Sequence, residues 1–277
     1  LTDHGTMHGF VEQVKLCKKY GVKPIVGCEI YEVDNYLEKN YSKEYTQPRY
    51  HLVLLASKQV GLQNLFKIVS EAATTGMYKK PRISINWIKE NNLGEGIICL
   101  TACQVGRLSR YLENEMYDEA EEFVNLLKDT FDYVACEIQS HKTEQQLKCN
   151  TLIYKFARHM NMPYVITTDA HMLSANQIDT HSIFVSIGEG RETGETYVGC
   201  HLQNEQDVFQ YLGDWMLERV VQQGIDETAH IANMIDDDID YGLDHGNIMP
   251  TINVPEEFSS HEDYLHYLVF EKFDNKF

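Results

Sequence analysis

Residues 163–171 read PYVITTDAH, a short aromatic and β-branched run that ends in an acid and an imidazole one residue apart. Tyr, Val, Ile and Thr favour a strand, and Pro163 marks where the run begins. Asp169 and His171 therefore follow a strand, which is where barrel-like α/β enzymes gather ligands at their carboxyl rim. The chain opens on the same pattern, because Leu1-Thr2 leads directly into Asp3-His4. Leu1-Thr2 reads as the tail of a strand whose beginning is missing, so a fragment is expected.

Between these two ends the patterns alternate. Apolar spacing predicts helices over residues 9–20, 59–73, 83–90, 117–129 and 143–159. Compact apolar runs predict strands over 24–31, 51–56, 96–103, 133–139 and 163–168, with loops over 35–49 and 76–81. The run GIICLTAC at 96–103 is almost continuously apolar, as in a strand buried on both faces. Strands separated by helices imply a mainly parallel α/β sheet. Around residues 189–199 the composition turns to Gly, Thr and charge, and organisation is expected to change there. Helices over 204–211 and 215–234, an extended linker over 241–255 and a helix beginning near 260 complete the chain.

A chain of 277 residues can bury a large core, and 43% hydrophobic with 24% charged residues is ordinary for a globular protein. No apolar run approaches the ~18 residues that a membrane span requires. The formal net charge of −18 argues against a general nucleic-acid-coating surface, because phosphates attract Lys and Arg. It leaves room for a nuclease pocket, where cations reverse the local field. The seven cysteines lack CxxC spacing; Cys17, Cys28, Cys99, Cys136 and Cys149 fall in apolar stretches and are expected in the core. That usage suggests a reducing, cytoplasmic setting. Neither a GxGxxG nor a GxxxxGK[ST] phosphate loop is present, and the serine elbow GxSxG is also absent.

The placement of the remaining acids, imidazoles and one thiol carries the chemistry. His4 follows the first strand remnant, Glu29 lies near the end of the second strand, and Cys103 ends the GIICLTAC run. His141 follows the 133–139 strand by two residues. His51 begins its strand, and it reaches the same rim only if that strand runs antiparallel to 25–31, which puts it beside Glu29. The pattern therefore predicts one site built from His4, Glu29, His51, Cys103, Asp169 and His171, with Asp3 and His141 nearby. Mixed imidazole, carboxylate and thiolate ligands suit zinc, manganese or iron better than magnesium or calcium. More than four candidates suggest a polynuclear site, which can clamp a phosphoester during in-line attack. Taken singly, Asp3 and Asp169 are better explained as helix N-caps or solvated loop residues and Cys103 as a core thiol; the coincidence of six such residues at one rim overturns that reading. The other histidines, at 8, 159, 181, 201, 230, 245, 261 and 266, lack such placement and are assigned to surface or core.

The segments LTDHGTMHGFVE, KPIVGCEIY, RYHLVLLA, GIICLTACQVGRL, CEIQSH and VITTDAHML occur in the order found in the PHP (polymerase and histidinol phosphatase) domain. The sequence most resembles the version that opens the bacterial C-family replicative polymerases, the DNA polymerase III alpha subunits. YKKPRISINWI and HLQNEQDVFQYL agree as well, so the resemblance spans essentially the whole chain. It implies a distorted (β/α)7 barrel, its first strand incomplete here, with up to three Zn, Mn or Fe ions at the carboxyl rim. By motif it places metal ligands at His4, Glu29, His51, Cys103, Asp169 and His171, with Asp169, His171, His4 and Glu29 as the catalytic set. His141 is given a substrate or structural role, and Asp3 an orienting or capping one. The family's opening HxH motif, with its three ligands, would precede Leu1.

The same resemblance implies a PHP barrel over residues 1–200, a helical extension over 201–240 and a linker toward a polymerase palm over 241–277. It also implies metal-dependent 3′–5′ exonuclease or phosphoesterase chemistry. The implied partners are the primer-template 3′ end, the rest of the polymerase chain and replicase subunits such as the sliding clamp. Two other readings stay open: a stand-alone PHP phosphatase, and a non-catalytic PHP scaffold of a polymerase core.

Overall fold

The computed structural model describes residues 1–39, 47–141, 143–190, 197–243, 245–246 and 250–271. Parts of four expected features lie outside these residues: the loop at 35–49, the change of composition at 189–199, the linker at 241–255 and the end of the last helix. The chain divides into two compact units, Leu1–Ile239 and Asp240–Phe277.

The first unit is built on one sheet. Its strands are β1 (Gly27–Glu32), β2 (Tyr50–Ala56), β3 (Met77–Tyr78), β4 (Lys80–Ile83), β5 (Ile97–Leu100), β6 (Tyr133–Gln139) and β7 (Tyr164–Thr167). They lie in the order β3-β4-β1-β2-β5-β6-β7. Pairs β1–β4, β5–β6 and β6–β7 are parallel, whereas β2 runs antiparallel to both β1 and β5. The reversal expected for the His51 strand is thus present, with His51 opposite Tyr31. Residues 1–5 extend alongside β1: Gly27 N donates to Leu1 O at 3.1 Å and Glu29 N to Asp3 O at 3.0 Å. This is a barrel-like α/β architecture in which the edge strands β3 and β7 do not pair with one another among the described residues.

Helices cover the sheet: α1 (Phe10–Tyr20), α2 (Gln59–Ala73), α3 (Ile85–Glu90), α4 (Arg107–Glu113), α5 (Tyr117–Lys128), α6 (Glu144–His159), α7 (Ile178–Glu189), α8 (Glu205–Leu212) and α9 (Glu218–Met234). The core is apolar on both sides of the sheet, with Cys28, Leu54, Ile98, Cys99, Ala135, Cys136 and Ile138 wholly buried. Caps fix where the helices next to the site begin. Ser84 and Thr143 accept from Trp87 N and Gln146 N, and Asn204 with Asp207 closes a capping box at α8. At the far edge α9 clasps β7, with the Tyr164 hydroxyl on Val220 O at 3.0 Å and Thr228 Oγ1 on Ile166 O at 2.8 Å.

Four local expectations are corrected. The loop expected over 76–81 contains the tight hairpin of β3 and β4, turned by Lys79 at φ 61°. The strand expected over 96–103 stops at Leu100, because Ala102 takes a left-handed φ of 61° that a ladder does not accommodate. The helix α4 was not expected, and the helix behind Asp169 begins only at Ile178, as α7 with Gln177 at its N-cap, so Asp169 does not cap it. Cys17 is only half-buried, since α1 turns just Val14 fully inward; Cys28, Cys99, Cys136 and Cys149 are buried as expected.

In the second unit α10 (His261–His266) is capped by Ser260, and the Phe258 ring packs on Tyr264 and Tyr267 at 4.9 and 5.0 Å between centroids. The described residues of the 241–255 stretch form neither helix nor strand.

Candidate metal centre

Glu29 occupies the middle of the site because of sheet register. It sits opposite Val53, so His51, two residues earlier on β2, is its diagonal neighbour on the same face. On the other side His4 bridges to Glu29 in parallel. Both imidazoles reach one carboxylate oxygen: His4 Nδ1 lies 2.8 Å and His51 Nδ1 2.6 Å from Glu29 Oε1. Just after His4 the backbone turns left-handed at Gly5, φ 65°, where an added Cβ would come within 2.6 Å of Pro81 and 2.9 Å of Tyr31. Only glycine lets the chain leave the sheet there without displacing that wall.

Cys103 arrives from the turn after β5. Its thiol accepts from Val105 N at 3.4 Å and lies 3.7 Å from His51 Nδ1. The closing motif follows β7 through Asp169, which adopts φ 43°. His171 Nδ1 bonds the Asp169 carbonyl at 2.7 Å. That bond makes Nδ1 the protonated nitrogen and leaves Nε2 as the lone-pair donor, the usual preparation of a metal-binding imidazole. The His171 ring stands 5.6 Å from the His4 ring.

His4, Glu29, His51, Cys103, Asp169, His171 and His141 line one cleft of about 350 Å³. Asp3 does not: its carboxylate accepts from Gly9 N, just before α1, at 3.0 Å. His141 is buried, with Nε2 3.6 Å from the Asp169 carboxylate and 3.4 Å from the Cys200 thiol.

Burial alone would push the Glu29 carboxyl up, yet the hydrogen bonds from His4 and His51 outweigh it and hold the group at about 2. The bond to Glu29 raises His4. Burial drives the Cys103 thiol well above its ordinary value, with Glu29 adding to the effect, and burial also lowers His141. The donor set fits a divalent cation. Among the described residues, His4, Glu29 and His51 bring three donor atoms within 4.8 Å of one another. Cys103, Asp169 and His171 add a thiol, a carboxyl group and an imidazole on the same cleft.

Several residues of the site carry no sequence signal. Cys200 holds the closing motif through its carbonyl, which accepts from His171 N at 2.8 Å, and burial with Asp169 pushes its thiol up to about 12. His181, assigned above to surface or core, packs its ring against Tyr197 and His171 at 4.6 and 5.8 Å. Glu137, wholly buried on β6, ties two ligand-bearing turns together. Its carboxylate accepts from Ala102 N at 3.0 Å and from Thr167 Oγ1 at 2.6 Å. Burial pushes this carboxyl up to about 7 against the bonds from Thr167 and Gln139. An acid in an apolar run such as YVACEIQ could have flagged it; Cys200 and His181 depend on tertiary placement alone.

Comparison with known proteins gives the family. A family model described as "PHP domain" matches residues 1–141. The DNA polymerase III subunit alpha of Borreliella burgdorferi is 29% identical over 98% of the chain, and that of Treponema pallidum 30% over 97%. The protein of the same description from Thermus aquaticus is 32% identical over 68% of the chain. The chain spans 23% of the length of the first two relatives and 15% of the third.

Proposed function

The chain belongs to the PHP family, and from that premise we propose that its cleft is a metal-dependent phosphoesterase centre acting as a 3′–5′ exonuclease on the 3′ end of DNA. One observation carries the reading: six side chains from five separate segments, His4, Glu29, His51, Cys103, Asp169 and His171, line a single cleft at the carboxyl rim. These six would hold transition-metal ions, Zn or Mn and alternatively Fe, up to three in a complete domain. When bound, such ions polarise a phosphoryl oxygen and lower the pKa of an attacking water.

The chain's own residues then have defined tasks. Glu29 orients His4 and His51 through one oxygen. The Asp169 carbonyl fixes the His171 tautomer. His141, kept neutral by burial, faces Asp169 and is assigned to substrate contact. Asp3 orients the neighbouring His4 by tying its own carboxylate to Gly9 N ahead of α1.

The resemblance to DNA polymerase III alpha subunits along almost the whole chain supports a larger setting. We assign the chain to a bacterial or phage replicative polymerase, with barrel, helical extension and linker at 1–200, 201–240 and 241–277. DNA-directed DNA synthesis belongs to the rest of that polymerase. Primer-template DNA and replicase subunits such as the sliding clamp are its partners, and the cytoplasm its location. Among the described residues no helix is long and apolar enough to cross a membrane.

The test measures bound transition metal and the release of 3′-terminal nucleotides from a labelled primer, in the wild type and in His171→Ala. Metal binding with loss of nuclease activity in the variant is expected. A protein that binds no transition metal, or a variant with unchanged nuclease activity, sinks the proposal and leaves a scaffold.

A further inference from the structure

One fully buried acceptor on the cleft has no donor among the described residues. Gln146, in the first turn of α6, is 0% exposed and lines the cleft beside His141, Asp169 and His171. Its amide is not free to turn. Gln139 N donates to Asn150 Oδ1 at 3.2 Å, and Gln139 O accepts from Asn150 Nδ2 at 2.7 Å. Backbone groups have fixed roles, so these bonds decide which Asn150 atom is oxygen. That oxygen also accepts from Gln146 Nε2 at 2.9 Å. Gln146 Oε1 is therefore fixed as the amide atom turned away from Asn150, buried and without a donor. Gln104, half-buried on the same cleft, carries a second buried amide oxygen without a donor. Buried amide oxygens in folded proteins nearly always have a donor, so a pinned orphan on a cleft wall marks where a ligand supplies one.

We infer that Gln146 Oε1 accepts a hydrogen bond from the 3′-hydroxyl of the terminal nucleotide, which makes Gln146 a substrate-recognition residue. The inference rests on the phosphoesterase reading above. An ionised phosphodiester offers only acceptors, so its oxygens cannot satisfy Oε1; the donor comes from the sugar or the base. Exocyclic amino groups differ between bases, and thymine has none. The 3′-hydroxyl is present at every extendable end whatever the base. It lies a few bonds from the scissile phosphate, within reach of a wall that also carries Asp169 and His171.

The experiment titrates the Mn- or Zn-loaded chain with inorganic phosphate, with a 2′-deoxynucleoside 5′-monophosphate and with its 2′,3′-dideoxy counterpart. The wild type is expected to bind the deoxy compound roughly 5- to 10-fold more tightly than the dideoxy one, as one net hydrogen bond implies. Gln146→Met is expected to lower the deoxy affinity to that of the dideoxy compound and to leave phosphate binding unchanged. Equal binding of the two nucleotides by the wild type overturns the inference without any variant. So does a preference that survives in Gln146→Met, or a variant that weakens both nucleotides alike. A chain that takes up metal and phosphate yet ignores the hydroxyl removes this inference alone. Failure to take up metal or phosphate removes the phosphoesterase reading and this inference with it.

Discussion

Two buried carboxylates set the behaviour of the site at the scale of single residues, and they are tuned in opposite directions. Glu29 is held at about 2 by His4 and His51, while burial pushes Glu137 up to about 7. Replacing Glu29 with Gln removes the charge on which both imidazoles converge. Metal affinity should fall by more than about 100-fold, measured by competition with a chromophoric chelator; an unchanged affinity would remove Glu29 from the centre. His4 must lose its proton to ligate, and its raised pKa carries proton competition to higher pH. Metal affinity should therefore drop as pH falls through that raised value, with proton release on binding. For Glu137 the sign is the reverse of the ordinary salt-bridged acid. Its folded pKa lies above the unfolded one, so the folded state binds the extra proton, and stability declines as pH rises from about 4.5 toward 7. The decline attributable to this group is on the order of 3 kcal/mol. Urea unfolding of the metal-free protein across that range should show it, and Glu137→Gln should flatten the slope. A slope identical in the variant would assign the pH dependence elsewhere.

At the scale of elements, the site depends on backbones that approach closely. Gly61 on α2 lies so near the start of β5 that an added Cβ would fall 1.8 Å from Gly96 O, and backbone there cannot yield as a side-chain tip does. Gly61→Ala should cost about 2–3 kcal/mol and lower Tm by roughly 5–10 °C in thermal unfolding. Gly21→Ala, with nothing within 4 Å, should cost only the strain of its φ of 66°, about 1 kcal/mol. Equal effects of the two would refute the contact argument. The same dependence on neighbours explains what the sequence reveals of the elements. β2, β6 and β7 are legible because their apolar runs are continuous and their ends carry acids or imidazoles. The hairpin of β3 and β4 hides because its strands have two and four residues, with Lys and Pro between apolar positions. The bounds of α7 hide for another reason: Ile183, Phe184 and Ile187 are all more than 60% exposed, so its apolar residues do not trace an inward stripe. Six candidate ligands could be read from strand ends, whereas Gln146 and Cys200 acquire their roles only when α6 and the segment after residue 196 fold over the rim.

At the scale of the whole molecule, charge decides how the proposed nuclease cleft would meet DNA. The chain carries 42 acidic against 24 basic residues, and its net charge of −18 repels a phosphate backbone. Affinity from counterion release requires Lys and Arg in register with phosphates, and each such contact steepens the fall of affinity with salt. An acidic domain that grips only a strand's 3′ end through bound cations should behave differently. Duplex binding by this chain should be undetectable at micromolar protein and physiological salt. Binding of a single-stranded 3′ end should require the divalent metal, with a logarithmic salt slope of about −1 to −2 rather than the steep values of phosphate-tracking proteins. Fluorescence anisotropy with a labelled oligonucleotide, repeated at several salt concentrations with and without chelator, measures both quantities. A steep slope, or binding that survives the chelator, would mean that a basic surface rather than the cleft holds the DNA. A shallow, metal-dependent slope would assign to the remainder of the proposed polymerase the task of holding the duplex, and to this domain only the terminal nucleotide.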